Sequence, residues 1–398
     1  MAASTANIIA EAVLTQFSKL PAKRKPKVRD NGLHEWAPIS GIVAESDGSF
    51  TCVSLATGMK CLPASKIPDC NGVGLHDWHA EILTIRTFNR YILDECNSLL
   101  DGGSSNVVER TDPSSNGDRP FRLRHGVKLH MYASEAPCGD ASMENLMAAQ
   151  EDASPWDVPA QADPEAGALP GRAYFSQLGV VRRKPARSDA PPTLSKSCSD
   201  KLALKQCTSL LASLTSLFVD PRTAYIDTLV LPEDQYSAVA CRRAFSATGR
   251  MSGVAGADGE GGYGFRPFSV ATTNIQFAYA RRAVQARSDK LAASNLAAAW
   301  SLSGVEESIL GGVVQGHKPF LPRGASRMSR RGMWQSCREL ASKLPEWPAI
   351  AAHLAVKTHG QAKTGPLLEA RNKVKARARE LALPGWVRNT GDDTFSME

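Results

Sequence analysis

The chain has 398 residues, of which 42% are hydrophobic and 22% charged, and these fractions are ordinary for a globular protein. They exclude a wholly disordered, collagen-like or coiled-coil chain. No apolar run reaches the length of about 18 residues that a membrane span needs, and the N-terminus lacks a signal-peptide pattern. The net charge of +7 is compatible with an RNA or phosphate partner. The nine cysteines are irregularly spaced, which favours metal ligands or buried thiols over a disulfide framework.

Hydrophobic periodicity and turn signals divide the N-terminal half of the chain into predicted elements. In chain order they are a helix over 5–20, a basic linker ending at 32, a hairpin of strands 39–44 and 51–55, a helix over 79–95, an exposed loop over 100–124 and a strand over 127–133. The hairpin depends on the Ser-Asp-Gly turn between its apolar runs. We interpret the basic linker as a simple charged segment, in preference to a tRNA contact or a nuclear-import signal.

The second half of the chain continues to alternate helix and strand signals with loops. The predicted elements are a long insertion over 149–172, a helical run over 200–219, a strand over 223–231, a glycine-rich loop over 252–264, and C-terminal helices over 287–302, 332–343, 347–358 and 366–383. This order predicts an α/β core with loop insertions. Since no low-complexity linker divides the chain, we predict one domain with elaborations.

Two short motifs, distant in the sequence, together predict a catalytic site. His79 and Glu81 open the predicted helix over 79–95, and Pro137 and Cys138 follow the strand over 127–133. Together they form the H-x-E and P-C pair of zinc nucleobase deaminases. Zinc needs three protein ligands with a fourth position for water, and it lowers the pKa of that water toward ~7. The glutamate is not a ligand in this pattern and carries protons between water and base.

The third zinc ligand departs from the P-C-x-x-C form, because Ala141 occupies the position of the second cysteine. Cys198 is the preferred candidate, since the N-cap types Ser199 and Asp200 place it at the start of a predicted helix. Cys207 is the competitor, although its place within an apolar run is more typical of a buried thiol. The other cysteines near these segments are Cys52, Cys61, Cys70 and Cys96.

The segments HAE, PCGD and SCSDK, in this order, resemble the adenosine deaminase domain that tRNA-specific adenosine deaminases share with the double-stranded-RNA-editing adenosine deaminases. Further similar segments are GMKC at 58–61, SRMSR at 326–330, GWV at 385–387 and DTF at 393–395. The resemblance spans about 33–398 and leaves 1–32 as an N-terminal helix and linker. It implies a cytidine-deaminase-like three-layer α/β core, with a central mixed sheet between helices, helical C-terminal elaborations and loop insertions.

The resemblance implies zinc held by His79, Cys138 and Cys198, with hydroxide attacking C6 of adenine and Glu81 as the proton shuttle. Because no RNA-binding domain precedes the match, the tRNA-specific branch is favoured, which converts the adenosine 3′ of the anticodon in alanine tRNA to inosine. Alternatives are a deaminase of double-stranded or messenger RNA, or a non-catalytic RNA-binding subunit, against which Glu81 argues. We expect no obligate protein partner and a nuclear or cytoplasmic location.

The resemblance also implies a buried inositol hexakisphosphate. The matching residues are Asp77, Arg86, Ser195, Lys201, Ser213, Arg330, Lys363, Lys375, Trp386 and Asp393. Asp77 matches an aspartate that links a polyphosphate-bound lysine, here Lys201, to the zinc cysteine. Ile85 and Leu204 stand where relatives have arginines, so the polyphosphate would be held by fewer cations or by basic residues outside the matched set.

A basic stretch precedes the SCSDK motif. It contains Arg182, Arg183 and Lys184, followed by Arg187. One interpretation is a solvated loop. We favour the other, in which Arg182, Arg183 and Lys184 contact substrate phosphates beside the flipped base.

Overall fold

The computed structural model describes residues 4–112, 118–150, 169–170, 174–184, 190–256 and 259–397. The predicted insertion over 149–172 therefore lies almost entirely outside the described residues, as does Arg187.

Ten α-helices occur among the described residues. They are α1 (Thr5–Ser18), α2 (Ala80–Leu100), α3 (Met143–Ala148), α4 (Cys198–Thr208), α5 (Ala238–Phe245), α6 (Arg281–Gln285), α7 (Arg330–Ser342), α8 (Pro348–Leu354), α9 (His359–Thr364) and α10 (Glu369–Leu381). The helices predicted near the N-terminus and after the HAE motif are confirmed as α1 and α2. No described helix combines the length and the apolar composition that crossing a membrane requires.

The same residues contain fourteen strands. They are β1 (His34–Trp36), β2 (Ile39–Ser46), β3 (Ser49–Thr57), β4 (Val108–Arg110), β5 (Phe121–Leu123), β6 (Lys128–Ala133), β7 (Leu169–Pro170), β8 (Arg182–Arg183), β9 (Ile226–Pro232), β10 (Ser269–Thr273), β11 (Leu291–Ala293), β12 (Ala297–Ser301), β13 (Glu306–Leu310) and β14 (Val313–Val314). The predicted hairpin is confirmed as β2 and β3. The predicted loop over 100–124 is wrong in part, because β4 and β5 pair within it.

Eight strands form one mixed sheet in the order β10-β9-β6-β2-β3-β12-β13-β14. Strands β10, β9 and β6 are parallel to one another, and every other neighbouring pair is antiparallel. In β2, Ile42 lies opposite Met131 of β6 and Ser54 of β3. Strand β2 therefore lies at the centre of the sheet, where both of its faces can be buried.

The two faces of the sheet support separate hydrophobic cores. Ile42 and Val53 pack on the face covered by α2, whereas Val43 and Leu55 pack on the face covered by α1. A side chain at Gly41 would overlap Val13 of α1, so this glycine permits the close approach of that helix. The predicted α/β fold, a mixed sheet between helices, is confirmed.

The helix predicted over 287–302 is wrong, because this segment forms β11 and β12 instead. The residues from Ala297 to Ala299 are fully buried, and β12 pairs with both β3 and β13. Alanine has the highest helix propensity, but intrinsic propensity is a small effect that inter-strand hydrogen bonds and burial in the sheet override.

Candidate active site

The three predicted metal ligands lie where three segments of the fold converge. His79 is the N-cap residue of α2, Cys138 lies in the turn after β6, and Cys198 is the first residue of α4. The side-chain donor atoms of these three residues all lie within 4.8 Å of one another. Cys207 belongs to the hydrophobic core instead, with 2% of its surface exposed.

Hydrogen bonds fix the relative positions of the three segments. The Ala80 N–H donates to the carbonyl of Gly58 at 2.8 Å, which ties the start of α2 to the end of the hairpin. Ser199 joins the two cysteine segments, because its N–H donates to the Cys138 carbonyl at 3.0 Å and its hydroxyl donates to the Pro137 carbonyl at 2.8 Å. These hydrogen bonds hold in place the three segments that carry the candidate ligands.

Gly139 follows the ligand Cys138 and needs to be glycine for two reasons. Its φ of 100° lies in a region that other residues rarely adopt. A Cβ at this position would also collide with the Ser197 side chain at the N-terminus of α4. Any larger residue would push the turn that carries Cys138 away from Cys198.

The donor set fits zinc. Two thiols and one imidazole are typical zinc ligands, and three of them leave a fourth position for water. Cys138 Sγ lies 3.8 Å from His79 Nδ1, close to the separation of about 3.6 Å that a tetrahedral ion imposes on sulfur and nitrogen ligands. Hydrogen bonding with Cys198, aided by the charge of Lys184, lowers the pKa of the Cys138 thiol well below its ordinary value. The thiolate form, which binds metal, is therefore favoured.

Glu81 lies in the first turn of α2, two residues after His79, with only 6% of its surface exposed. It does not belong to the group of three donor atoms around His79. Burial, reinforced by the Cys138 sulfur, raises the pKa of Glu81 above its ordinary value. Its place beside the donors, but outside them, suits a group that moves protons.

The prediction that Arg182 and Lys184 contact RNA is wrong, because their side chains are only 2% and 5% exposed. Lys184 Nζ donates to Asp77 at 2.9 Å and to Cys198 Sγ at 3.2 Å. A basic run usually indicates a solvated loop, but this lysine neutralises a buried carboxylate and a metal-binding sulfur. Arg182 donates to the carbonyl of Tyr174 at 2.9 Å and so fixes the segment that carries Lys184.

Asp77 links Lys184 to a second, partly exposed lysine. Lys201 donates to the same carboxylate oxygen of Asp77, and so does the hydroxyl of Ser195, at 2.8 Å. Burial alone would raise the pKa of Asp77, but the charges of Lys184 and Lys201 hold this pKa well below its usual range. Contacts therefore run from Lys201 through Asp77 and Lys184 to Cys198. The resemblance implied a link between Lys201 and the cysteine, but it did not include Lys184.

A buried aspartate also follows each cysteine by two residues. Asp140 accepts hydrogen bonds from Arg243 at 3.0 and 3.1 Å, and Asp200 accepts one from Arg250 at 2.6 Å. Both aspartates are 0% exposed. Arg243 lies in α5 and Arg250 lies shortly after it, so one segment holds both cysteine turns in place.

Lys201 lies at the edge of a cavity of about 550 Å³. All ten residues that the resemblance assigned to a polyphosphate line it, namely Asp77, Arg86, Ser195, Lys201, Ser213, Arg330, Lys363, Lys375, Trp386 and Asp393. Sequence reasoning missed other basic residues of the lining, which are Lys196, Lys205, Arg371, Arg379 and Arg388. The basic residues were missed because they are dispersed along the chain, so no local motif signals them.

The lining of this cavity contains ten basic residues but only two acidic ones, Asp77 and Asp393. Burial and the neighbouring positive charges lower the pKa of Lys196 and of Lys363 to about 7 each. Such crowding is unfavourable without an anion. The cavity is therefore suited to a ligand with many negative charges.

The arrangement of these parts defines a class of protein. A sheet flanked by helices that brings together an H-x-E segment, a P-C segment and a second cysteine as the third donor is typical of nucleobase deaminases. The family described as the adenosine-deaminase (editase) domain matches residues 54–390, and the chain belongs to this family. The chain is thus an enzyme that deaminates adenosine.

The chain is similar to several curated proteins. It is 39% identical to a protein of Schizosaccharomyces pombe named tRNA-specific adenosine deaminase 1, over 74% of each chain. It is 34% identical to a Saccharomyces cerevisiae protein of the same name, over 56% of this chain and 58% of that one. It is also 30% identical to the Drosophila melanogaster double-stranded RNA-specific editase Adar, over 51% of this chain and 31% of that protein.

Proposed function

We propose that this enzyme converts adenosine to inosine in tRNA by zinc-dependent hydrolysis, at the adenosine 3′ of the anticodon in alanine tRNA. The observation that carries the proposal is the convergence of His79, Cys138 and Cys198, with Glu81 beside them. The names of the yeast relatives support tRNA as the substrate. The resemblance of the whole domain to tRNA-specific deaminases supports the position in the anticodon loop.

The side chains of the chain have distinct tasks in this reaction. His79, Cys138 and Cys198 would hold zinc, which when bound would supply a Lewis acid that makes water nucleophilic near neutral pH. Glu81 accepts a proton from the attacking water and delivers it to the ring nitrogen of adenine. It then carries the second proton to the departing amino group, so that water adds at C6 and ammonia leaves. Lys184 keeps the Cys198 sulfur hydrogen-bonded throughout.

The tRNA itself would be held mainly through its phosphates. Arg183 is partly exposed and stays our candidate for one such contact, whereas Arg182 and Lys184 are buried and have structural roles. The net charge of +7 supports an electrostatic contribution to binding.

The decisive experiment incubates zinc-loaded protein with an alanine tRNA transcript and sequences the product for adenosine-to-inosine conversion. We expect conversion at the adenosine 3′ of the anticodon, and none in a transcript that carries guanosine there. A perfect RNA duplex serves as the competing substrate. Conversion of the duplex alone, or no conversion of either RNA, would overturn the proposal.

We further propose that inositol hexakisphosphate occupies the cavity as a second, structural cofactor. The ten basic side chains of the lining support this assignment, because a dry interior cannot hold them together without a compensating anion. Since the ligand binds only the folded chain, it would stabilise that state by linkage.

Two lysines of the cavity predict how this stabilisation depends on pH. In anion-free protein, Lys196 and Lys363 lose their protons near pH 7, whereas in the unfolded chain they keep them to about pH 10. The free energy of unfolding of anion-free protein should therefore rise with pH between about 7 and 10, by up to ~1.4 kcal/mol per pH unit for each lysine.

With inositol hexakisphosphate bound, the lysines stay protonated and this pH dependence should disappear. The stabilisation by the anion is thus expected to be largest at or below neutral pH and to shrink above it. Urea unfolding at several pH values, with and without the added anion, measures both curves. A stabilisation that grows from pH 7 to pH 9 would contradict the assignment of these lysines.

A further inference from the structure

Two residues of the PCGD and SCSDK segments have no part in the reaction described above. Asp140 and Asp200 each follow a cysteine of the candidate zinc site by two residues, and both are completely buried. A buried carboxylate is unfavourable unless other groups neutralise it and donate hydrogen bonds to it. The partners of these two carboxylates therefore indicate their role.

Asp140 connects the turn that carries Cys138 to two other parts of the fold. Arg243 of α5 donates to both carboxylate oxygens, at 3.0 and 3.1 Å, and to the Asp140 carbonyl at 2.9 Å. The N–H of Gly179 donates to the carboxylate at 2.8 Å. Gly179 begins a stretch of residues, 179–184, that we call the bridging segment.

Asp200 connects the start of α4, which carries Cys198, to the same two parts of the fold. Arg250, shortly after α5, donates to its carboxylate at 2.6 Å, and the N–H of Arg182 in the bridging segment donates to it at 2.9 Å. The hydroxyl of Ser197 also donates to this carboxylate, at 2.6 Å. Each aspartate thus pairs with one arginine from α5 or just beyond it, and with one N–H of the bridging segment.

The bridging segment ends at Lys184, whose ammonium donates to the Cys198 sulfur at 3.2 Å. Because Asp140 holds the first residue of this segment and Asp200 holds its fourth, the position of Lys184 depends on both carboxylates. The spacing of the two cysteine turns also matters, since the Cys198 N–H donates to the Cys138 sulfur at 3.3 Å. Hydrogen bonds to a sulfur of this kind stabilise its thiolate form.

We propose that Asp140 and Asp200 are positioning residues for the deamination. They hold the two cysteine turns and the bridging segment in one arrangement, in which Lys184 stays hydrogen-bonded to the Cys198 sulfur. Among the described residues, neither carboxylate belongs to a group of possible metal donors, so both act through the cysteines and Lys184. The inference rests on the proposed zinc-dependent function, and it adds a role for the aspartate of each motif.

The test replaces each aspartate by alanine in the full zinc-loaded chain. Asp140→Ala and Asp200→Ala should each release zinc to a chelator about tenfold faster and lower kcat about tenfold or more, because residues that support metal ligands typically have effects of this size. KM for alanine tRNA should change little, since neither carboxylate is exposed. Asp94→Ala is the matched control, because it breaks the ion pairs of an α2 aspartate with Arg90 and Arg327 and should release zinc and turn over like wild type.

A second pair of variants separates positioning from stability. Asp200→Ala leaves Arg250, whose side chain is only 4% exposed, without its carboxylate and so destabilises the fold. Adding Arg250→Met removes that unpaired charge and should restore the melting temperature, but zinc release and kcat should remain impaired. Arg243→Met added to Asp140→Ala should behave in the same way. Double variants that regain the zinc retention and the kcat of wild type would overturn the proposal.

The absorption of cobalt-substituted protein reports the surroundings of the sulfurs directly. Charge-transfer bands between thiolate ligands and Co²⁺ respond to hydrogen bonds at sulfur, so Lys184→Met should shift them. Asp200→Ala should shift them in the same direction, whereas Asp94→Ala should leave them in place. Unchanged bands in Asp200→Ala would contradict the link to Lys184.

Failure of the proposed function would look different. If wild-type protein binds no zinc and does not deaminate alanine tRNA, the zinc-dependent function is wrong and the positioning role falls with it. If wild type binds zinc and deaminates, and the alanine variants equal it in both respects, only the positioning role is wrong.

Discussion

Replacing Cys198 by alanine is expected to release the metal and to reduce deamination to background. The change removes one of three donor atoms, and it also removes the acceptor of the hydrogen bond from Lys184 Nζ. A buried ammonium then faces Asp77 without the sulfur that shares its charge. Metal content by atomic spectroscopy and a deamination assay on alanine tRNA together measure the effect.

Cys207→Ala is the control for this experiment. Cys207 is equally buried but packs in the hydrophobic core beyond the first turns of α4. We expect this variant to keep its zinc and its activity, with a modest loss of thermal stability. Zinc lost from Cys207→Ala and retained in Cys198→Ala would show that the third ligand is misassigned.

Replacing Glu81 by glutamine is expected to leave the fold and the zinc in place and to lower the rate by about 10²–10⁴-fold or more. Glutamine has nearly the shape of glutamate but cannot carry a proton. Because Glu81 is buried and lies outside the donor set, its replacement should not reduce thermal stability.

Single-turnover rates, metal content and melting temperature should be measured on the same preparation of Glu81→Gln. The control is Glu11→Gln, which changes an exposed carboxylate of α1 and should behave like wild type. Loss of zinc in Glu81→Gln would make Glu81 a ligand, and a rate within tenfold of wild type would exclude it as the proton carrier.

The local elements of the fold could be predicted because their signals are local. The Ser-Asp-Gly turn between two apolar runs is sufficient to specify the β2–β3 hairpin, and helical periodicity specifies α1 and α2. Local signals gave the wrong prediction for residues 297–301, because an alanine-rich stretch is typical of a helix and its pairing partners in the sheet cannot be identified locally.

The residues of the candidate site likewise comprise those that short motifs predict and those that only the structure brings together. His79, Glu81 and Cys138 could be identified from motifs, because their chemistry requires fixed residue types at short spacings. For the third ligand the residues alone left Cys207 open, and the structure brings Cys198 to the other two donors.

The sequence by itself determined the class of chemistry, and it predicted the proton-carrying glutamate and the polyphosphate residues, because motifs and family resemblance are properties of short segments. Only the tertiary structure decided that Lys184 is buried against Asp77 and Cys198, and that Lys205 and Arg371 meet at one cavity wall. The physical reason is that burial and charge pairing depend on which distant segments pack together. A lysine in a basic run has the same sequence signal whether it contacts solvent or neutralises an interior carboxylate.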